Sequence, residues 1–265
     1  MSVLIVIPAR YASTRYPGKP LVELTGANGV ARSLIRRSWD AANAVAGVDR
    51  VVVATDDRRI ADHVKDFGGE VAMTSDTCRN GTERCAETIE TLKGYDIIVN
   101  LQGDAPLTPP WFVEALIDAM KADPDCPVAT PVLRCDHAAL NGFLEDRAAG
   151  RVGGTTAVFD TAGYSLYFSK EVIPYTGRKF AEGEETPVWH HVGVYAYRPD
   201  ALTAYTGWGE GNLEKWEGLE QLRFMENGVH VRAVPVEAKG RAFWELNNPV
   251  DVPRIEAMLK AQGLD

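Results

Sequence analysis

The sequence predicts an α/β fold with a mostly parallel central sheet and helices on both of its faces. Three observations carry this. Short β-branched runs alternate with helical patterns through the first half of the 265 residues. Those runs are apolar throughout, as strands covered on both faces must be. The composition, 45% apolar and 25% charged, is that of an ordinary globular chain, which excludes disordered, collagen-like and coiled-coil architectures.

In order along the chain, strands are predicted over 3–7, 51–55, 70–73 and 97–101, each short and rich in Val and Ile. Between them the spacing predicts helices. Residues 33–46 place Leu34, Ile35, Ala42, Val45 and Ala46 on one face. Residues 57–67 follow Asp56 as N-cap and stop at Gly68-Gly69. Residues 82–92 form a third helix. A fourth, 110–121, starts on Pro110 and repeats Phe112, Val113, Leu116, Ile117 and Met120 at intervals of three and four. This β-α-β-α order implies parallel strands joined by helical crossovers, with ligands bound beyond the strands' carboxyl ends. The loops after Ile7, Thr55 and Leu101 are therefore expected near a site.

The second half is more mixed. Strands are predicted over 128–133, 156–159, 164–168, 189–197 and 229–235, helices over 217–227 and 252–260, and irregular chain over 138–154 and 177–186. No compositional break or repeat divides the chain, so 1–265 reads as one domain.

Lys and Arg number 28 against 37 Asp and Glu, a net charge of −9, which argues against a broad nucleic-acid-tracking surface. A few local cations can still bind a small polyphosphate. Cys78, Cys85, Cys126 and Cys135 lack Cys-x-x-Cys spacing and read as reduced thiols. The run 3–7 is too short for a signal-peptide core, and no stretch approaches a membrane span, so a cytoplasmic protein is expected.

Two loops carry chemistry. Residues 8–20 read Pro-Ala-Arg-Tyr-Ala-Ser-Thr-Arg-Tyr-Pro-Gly-Lys-Pro, with Arg10, Arg15 and Lys19 directly after the first strand. Arg forks and a Lys point charge suit phosphate oxygens. Neither the Walker A nor the Gly-x-Gly-x-x-Gly pattern is present. From spacing alone, a solvated basic loop is as good a reading. Asn100-Leu101-Gln102-Gly103-Asp104 sets a carboxylate just past a central strand, where it suits a hard cation or, equally, a self-bonded turn.

Over essentially its whole length the sequence resembles the 3-deoxy-manno-octulosonate (KDO) cytidylyltransferases, within the wider CMP-sugar-acid synthetases. The carriers are Ile7-Pro8-Ala9-Arg10 through Pro17-Gly18-Lys19-Pro20-Leu21, Val53-Ala54-Thr55-Asp56-Asp57, Gly81-Thr82-Glu83-Arg84 and Gln102-Gly103-Asp104. They continue with Gly163-Tyr164-Ser165-Leu166-Tyr167-Phe168-Ser169, His191-Val192-Gly193-Val194-Tyr195, Leu213-Glu214-Lys215 and Leu219-Glu220-Gln221-Leu222-Arg223.

The resemblance implies a three-layer Rossmann-like sandwich of the nucleotide-diphospho-sugar transferase type. A smaller β-rich portion, about 131–205, would serve the sugar side and a homodimer contact. It implies transfer of CMP from CTP to the anomeric hydroxyl of KDO or a related 3-deoxy-ulosonic acid, for lipopolysaccharide or capsule synthesis. Pyrophosphate is released and Mg²⁺ assists; no nucleic acid or membrane insertion is involved. Carried over residue by residue, Ala9, Arg10, Arg15, Lys19, Thr82 and Arg84 bind the nucleotide, with Lys19 and Asp104 catalytic. Gln102, Lys170, His191, Glu217, Glu220 and Gln221 take the sugar, and Asp104 and Asn247 the metal. Read alone, His191 would be a satisfied strand histidine, and Glu217, Glu220 and Gln221 an ordinary helix face.

The chain departs from the family pattern in several places. Ala105 stands for a Glu and Asn247 for a metal-binding Asp, with Glu245 as an alternative carboxylate two residues away. Asn80 stands for Ser, Lys170 for Arg and Thr156 for Lys. Two readings stay open: a cytidylyltransferase for a different sugar acid, or a catalytically weak nucleotide-binding paralogue.

Overall fold

The computed structural model describes residues 1–265 except Thr14, Gly153 and Phe243, so one residue of the first loop and one of the 138–154 segment lie outside the described residues. Among the described residues the main sheet has ten strands. Its parallel part is β5 (Val71–Met73), β4 (Arg50–Thr55), β1 (Val3–Ala9) and β6 (Ile97–Leu101), in that spatial order. From β1 the chain moves outward to β4 and β5, then returns to the other side of β1 as β6. The order thus reverses between β1 and β6, which is where such sheets open a crevice.

Beyond β6 lies β11 (Val194–Tyr197), antiparallel to it, and then β7 (Val128–Arg134). β10 (Trp189–His191) lies on the same edge of β7 as β11, and the pairing runs from Trp189↔Arg134 to Tyr197↔Val128 with a two-residue slip between the two strands. The two are one strand interrupted at Val192-Gly193, where Val194 N–H turns back to the Val192 carbonyl at 2.7 Å. The strand expected over 189–197 is therefore present but broken, and the break puts Gly193 and Tyr195 on a cleft wall. β12 (Val231–Val236) runs parallel to β7, and the hairpin of β8 (Thr156–Phe159) and β9 (Ser165–Ser169) extends from β10. The sheet is mixed and mostly parallel. A separate two-stranded sheet joins β2 (Glu23–Thr25) to β3 (Ala31–Ser33).

β1 shows why three layers form. Val3, Ile5 and Ile7 enter one core with Ile35 and Phe112, while Leu4 and Val6 enter another with Cys85 and Phe224. All five β1 side chains are fully buried, each worth about 1.5–3 kcal/mol relative to exposure. Helices α1 (Leu34–Asn43), α2 (Arg58–Asp66) and α4 (Pro110–Ala122) cover the first face; α3 (Gly81–Thr91) covers the second. Caps set the starts: Ser33 accepts from Arg36 N–H, Asp57 from Arg59 N–H, and Asn80 from Glu83 N–H. The α2 cap is thus Asp57, one residue later than expected, because the Asp56 carboxylate pairs with Arg84 instead.

Three helical segments differ from expectation. The 138–154 stretch is mostly α5 (His137–Ala148), capped by Asp136 accepting from Ala139 N–H; Leu140 is its one buried residue, so no amphipathic pattern announced it. α6 (Pro199–Gly207) also covers the second face and begins on a first-turn proline. Of the helix expected over 217–227 only α8 (Leu222–Glu226) forms; before it stands a helix that was not expected, α7 (Asn212–Glu217), which ends where Gly218 takes a left-handed φ of 61°. Finally, α9 (Val252–Ala261) packs Ile255 and Leu259 against Leu24, Leu107 and Leu246, tying the C-terminal segment to the β1 and β6 loops.

Candidate active site

A cleft of about 450 Å³ opens at the carboxyl ends of β1 and β6. The β1 loop reverses on itself because the Tyr11 carbonyl accepts from both Ser13 N–H and Gly18 N–H at 2.9 Å. Arg59 lies 3.3 Å over the Tyr11 ring, and Gly18, at φ 72°, packs so closely that an added Cβ would come 3.1 Å from that ring. The left-handed backbone favours glycine here, and a side chain would also press on the ring. Lys19 follows immediately and points across the cleft.

Across from it, the β6 loop presses on β1. A Cβ at Gly103 would sit 2.6 Å from the Pro8 carbonyl oxygen, so only glycine permits this approach. Ser38 Oγ donates to the Gly103 carbonyl at 3.0 Å. Asp104 then meets Lys19, with Nζ to Oδ2 at 2.6 Å and both side chains partly exposed.

The C-terminal segment forms the third wall. Leu246 N–H donates to the Asp104 carbonyl at 2.9 Å, and Leu246 itself is fully buried. Its neighbours Glu245 and Asn247 both line the cleft. Asn247 Oδ1 accepts from Arg15 at 2.9 Å, while the Asn247 and Asn248 N–H groups donate to Asp251. Burial and then the nearby Asp104 carboxylate push the Glu245 carboxyl up to about 7, against the pull of Asn247, Lys19 and Arg15.

The fourth wall joins α3 to the Gly218–Gln221 turn. Glu220 accepts from Thr82 N–H at 3.0 Å and from Gln102 Nε2 at 3.4 Å, and burial raises its pKa. Tyr195 OH donates to Gln221 Oε1 at 3.0 Å, and the buried Gln221 Nε2 has no hydrogen-bond partner among the described residues.

Of the residues singled out from sequence, Ala9, Arg10, Arg15, Lys19, Arg84, Gln102, Asp104, Glu220 and Asn247 line this one cleft. Arg10 and Arg15 are exposed; Arg84 is buried on Thr74 and Asp56. The other five stand behind the wall. Thr82 is buried with its hydroxyl on Tyr197. His191 is buried with Nε2 3.0 Å from Thr130 Oγ1, and burial drops its pKa to about 3. Glu217 accepts from Ser169 Oγ and Lys170 N–H, Gln221 holds Tyr195, and Lys170 Nζ lies over Gly218. Sequence reasoning passed over Arg79, Gly193 and Tyr195 as site residues. The last two stood inside a quoted motif, and Arg79 precedes the α3 cap, where an anion is favoured.

For a metal, the cleft offers Asp104 and Glu245 carboxylates and the Asn247 amide oxygen. Mg²⁺ is usually held by one or two carboxylates plus substrate phosphates, so this donor set fits it. Among the described residues no group of three or more His, Cys, Asp and Glu converges as a metal cluster.

Comparison with known proteins agrees with this geometry. A family model described as cytidylyltransferase matches residues 4–233. The chain is 46% identical to the 3-deoxy-manno-octulosonate cytidylyltransferase of Maricaulis maris, over 99% of both chains.

The chain belongs to the 3-deoxy-manno-octulosonate cytidylyltransferase family.

This family membership extends to a mitochondrial relative from Arabidopsis thaliana, 35% identical over 99% of this chain and 84% of that one. Among solved structures, a CMP:2-keto-3-deoxy-manno-octonic acid synthetase complexed with CTP superposes with a TM-score of 0.83, at 37% identity and full coverage of both chains. A 4-diphosphocytidyl-2C-methyl-D-erythritol synthase from Anaerococcus prevotii, 13% identical with a TM-score of 0.59, shares the fold.

Proposed function

We propose that this chain transfers CMP from CTP to the anomeric hydroxyl of KDO or a near relative, releasing pyrophosphate. The observation that carries the reading is the meeting of Lys19 and Asp104 at 2.6 Å, in a cleft that Arg10 and Arg15 also line, at the sheet's switch point. Arg10, Arg15 and Lys19 neutralise the triphosphate, and the closely packed β1 and β6 loops fix the α-phosphorus. The sugar hydroxyl attacks in line, forming the new O–P bond as the α–β bridge breaks and the hydroxyl proton is released. Positioning and charge neutralisation supply most of the acceleration. Glu220, Gln102 and Tyr195 face the acceptor sugar, with Gln221, Glu217 and His191 bracing that wall from behind.

Asp104, with Glu245 and Asn247 beside it, would hold Mg²⁺. When bound, that ion supplies Lewis-acid stabilisation of charge on the phosphate oxygens. We further propose a cytoplasmic homodimer formed through the 131–205 portion. The exposed Leu166 and Tyr175 of that portion support this, and light scattering tests it.

The test of function is pyrophosphate release from CTP and Mg²⁺ with a panel of 3-deoxy-ulosonic acids. Release with KDO or one relative is expected. CTP binding, seen as a raised melting temperature, with no release for any acid would leave a nucleotide-binding paralogue instead.

A further inference from the structure

We infer that Glu245, together with Asp104, supplies the carboxylates that hold the divalent cation in this chain, and that Asn247 serves Arg15 instead. The inference rests on the cytidylyl-transfer reading above and deepens it.

The backbone sets the arrangement. Leu246 is pinned by its N–H to the Asp104 carbonyl and buries its side chain, so Glu245 and Asn247 flank Asp104 from the same wall. The two flanking side chains are differently employed. Asn247 has a single neutral oxygen, and the Arg15 guanidinium already donates to it at 2.9 Å, whereas Asp104 takes Lys19 on Oδ2 and keeps its negative charge and a second oxygen, Oδ1. Glu245 has the charge that Asn247 lacks, and Lys19 is committed to Asp104. Glu245 is left with no ion-pair partner among the described residues, facing another carboxylate. Gly193 opposite leaves it room: a Cβ there would come 3.2 Å from Glu245 Oε1. Two neighbouring carboxylates, only one of them paired with an ammonium, lining one cleft, form a seat that suits a hard divalent ion.

Mn²⁺ is the probe, and its binding to the full-length protein in the presence of CTP, without sugar, is measured by the paramagnetic resonance of the free ion. Glu245→Gln is expected to raise the Mn²⁺ Kd on the order of tenfold or more, as loss of a key metal-site group does. Metal-free CTP binding should hold or tighten. Asn247→Ala should leave the Mn²⁺ Kd nearly unchanged while weakening CTP through Arg15. The double variant Glu245→Gln/Asn247→Asp, which moves the carboxylate by two residues, should recover most of the Mn²⁺ affinity. A folded, CTP-binding Glu245→Gln protein with an unaltered Mn²⁺ Kd overturns the inference; so does an equal loss in Asn247→Ala. A measurement on the unmutated protein does not depend on any variant folding. With glutamate labelled in its side-chain carboxylate carbon, bound Mn²⁺ should show a hyperfine coupling to that carbon, and its absence also overturns the inference. Failure of the transfer reading looks different: the unmutated protein then releases no pyrophosphate from CTP with any of the acids, whatever its Mn²⁺ Kd.

Discussion

Replacing Arg223 with Met should destabilise the protein severely, through a charge left behind rather than a cavity. Arg223 is 1% exposed and donates to Glu214 twice, Nε to Oε2 at 2.7 Å and Nη2 to Oε1 at 2.6 Å. It also reaches Glu83 at 3.0 Å and lies 4.1 Å over the Tyr205 ring. Glu83 keeps Arg79 as a second cation, so its loss is partial. Among the described residues Glu214 keeps only Gly211 N–H at 3.1 Å and Tyr205 OH at 3.4 Å. Stripping one partner from a buried ion pair costs about 3–5 kcal/mol. At about 2–4 °C per kcal/mol for a chain of this size, Tm should fall by roughly 6–20 °C. Adding Glu214→Gln removes the stranded charge and should restore about half of the loss or more. The assay is thermal and urea unfolding of the four members of the double-mutant cycle. A single-variant loss below about 1 kcal/mol, or a double variant less stable than Arg223→Met, would refute the argument that a stranded carboxylate is the cause.

Three further outcomes follow from the geometry. Asp104→Asn should cut turnover far more than it weakens CTP binding, by on the order of 100-fold or more in kcat, since it removes charge at the reacting phosphate; comparable losses in kcat and CTP affinity, in steady-state kinetics and calorimetry, would argue against that role. Gly103→Ala should drive the β6 loop off β1, because its Cβ would meet the Pro8 carbonyl at 2.6 Å, so both Tm and kcat/KM should fall; unchanged values would mean that the two loops are not held in contact. His191, buried and held at a pKa near 3, stays neutral in the native protein while its unfolded form protonates near pH 6.5. Its contribution is present above that value and lost as pH falls through it, at about 1.4 kcal/mol per pH unit, so His191→Gln should flatten the acid side of the stability profile between about pH 6 and pH 4.

How far the molecule could be read from its sequence depended on what each element buries. β1, β4 and β6 were legible because strands covered on both faces must be continuously apolar, and α4 because it repeats Phe112, Leu116 and Met120 against the sheet. α5 was not: it buries Leu140 alone, so no period distinguishes it from a polar loop. The break between β10 and β11 was invisible because it is a backbone event at Val192-Gly193 within a run that alternates well throughout. At the site, the β1 and β6 loops announced themselves by charge beside glycine. Arg79 did not, because it joins the cleft through tertiary folding, by preceding the α3 cap; Glu245 was legible only as an alternative to Asn247, and its place in the cleft follows from α9 docking the chain end beneath Asp104.

The charge arrangement of the cleft explains how a chain of net charge −9 accepts a polyphosphate at all. At physiological salt the field of distant carboxylates is screened over about 8 Å, so the local census decides. Arg10, Arg15, Lys19, Arg79 and Arg84 line the cleft against Asp104, Glu220 and Glu245. These cations are not equivalent. Arg84 is committed to Asp56, Arg79 to Glu83 and Lys19 to Asp104, so they stand in fixed positions before any ligand arrives. Arg10 is exposed with no ion pair among the described residues, and Arg15 holds only the neutral Asn247. Exposed guanidinium groups lose little hydration on meeting phosphate, whereas breaking the fixed pairs costs more. Under the transfer proposed above, a polyphosphate is expected to meet Arg10 and Arg15 first, at the mouth. Lys19 would be engaged last, beside the carboxylate that holds it in place.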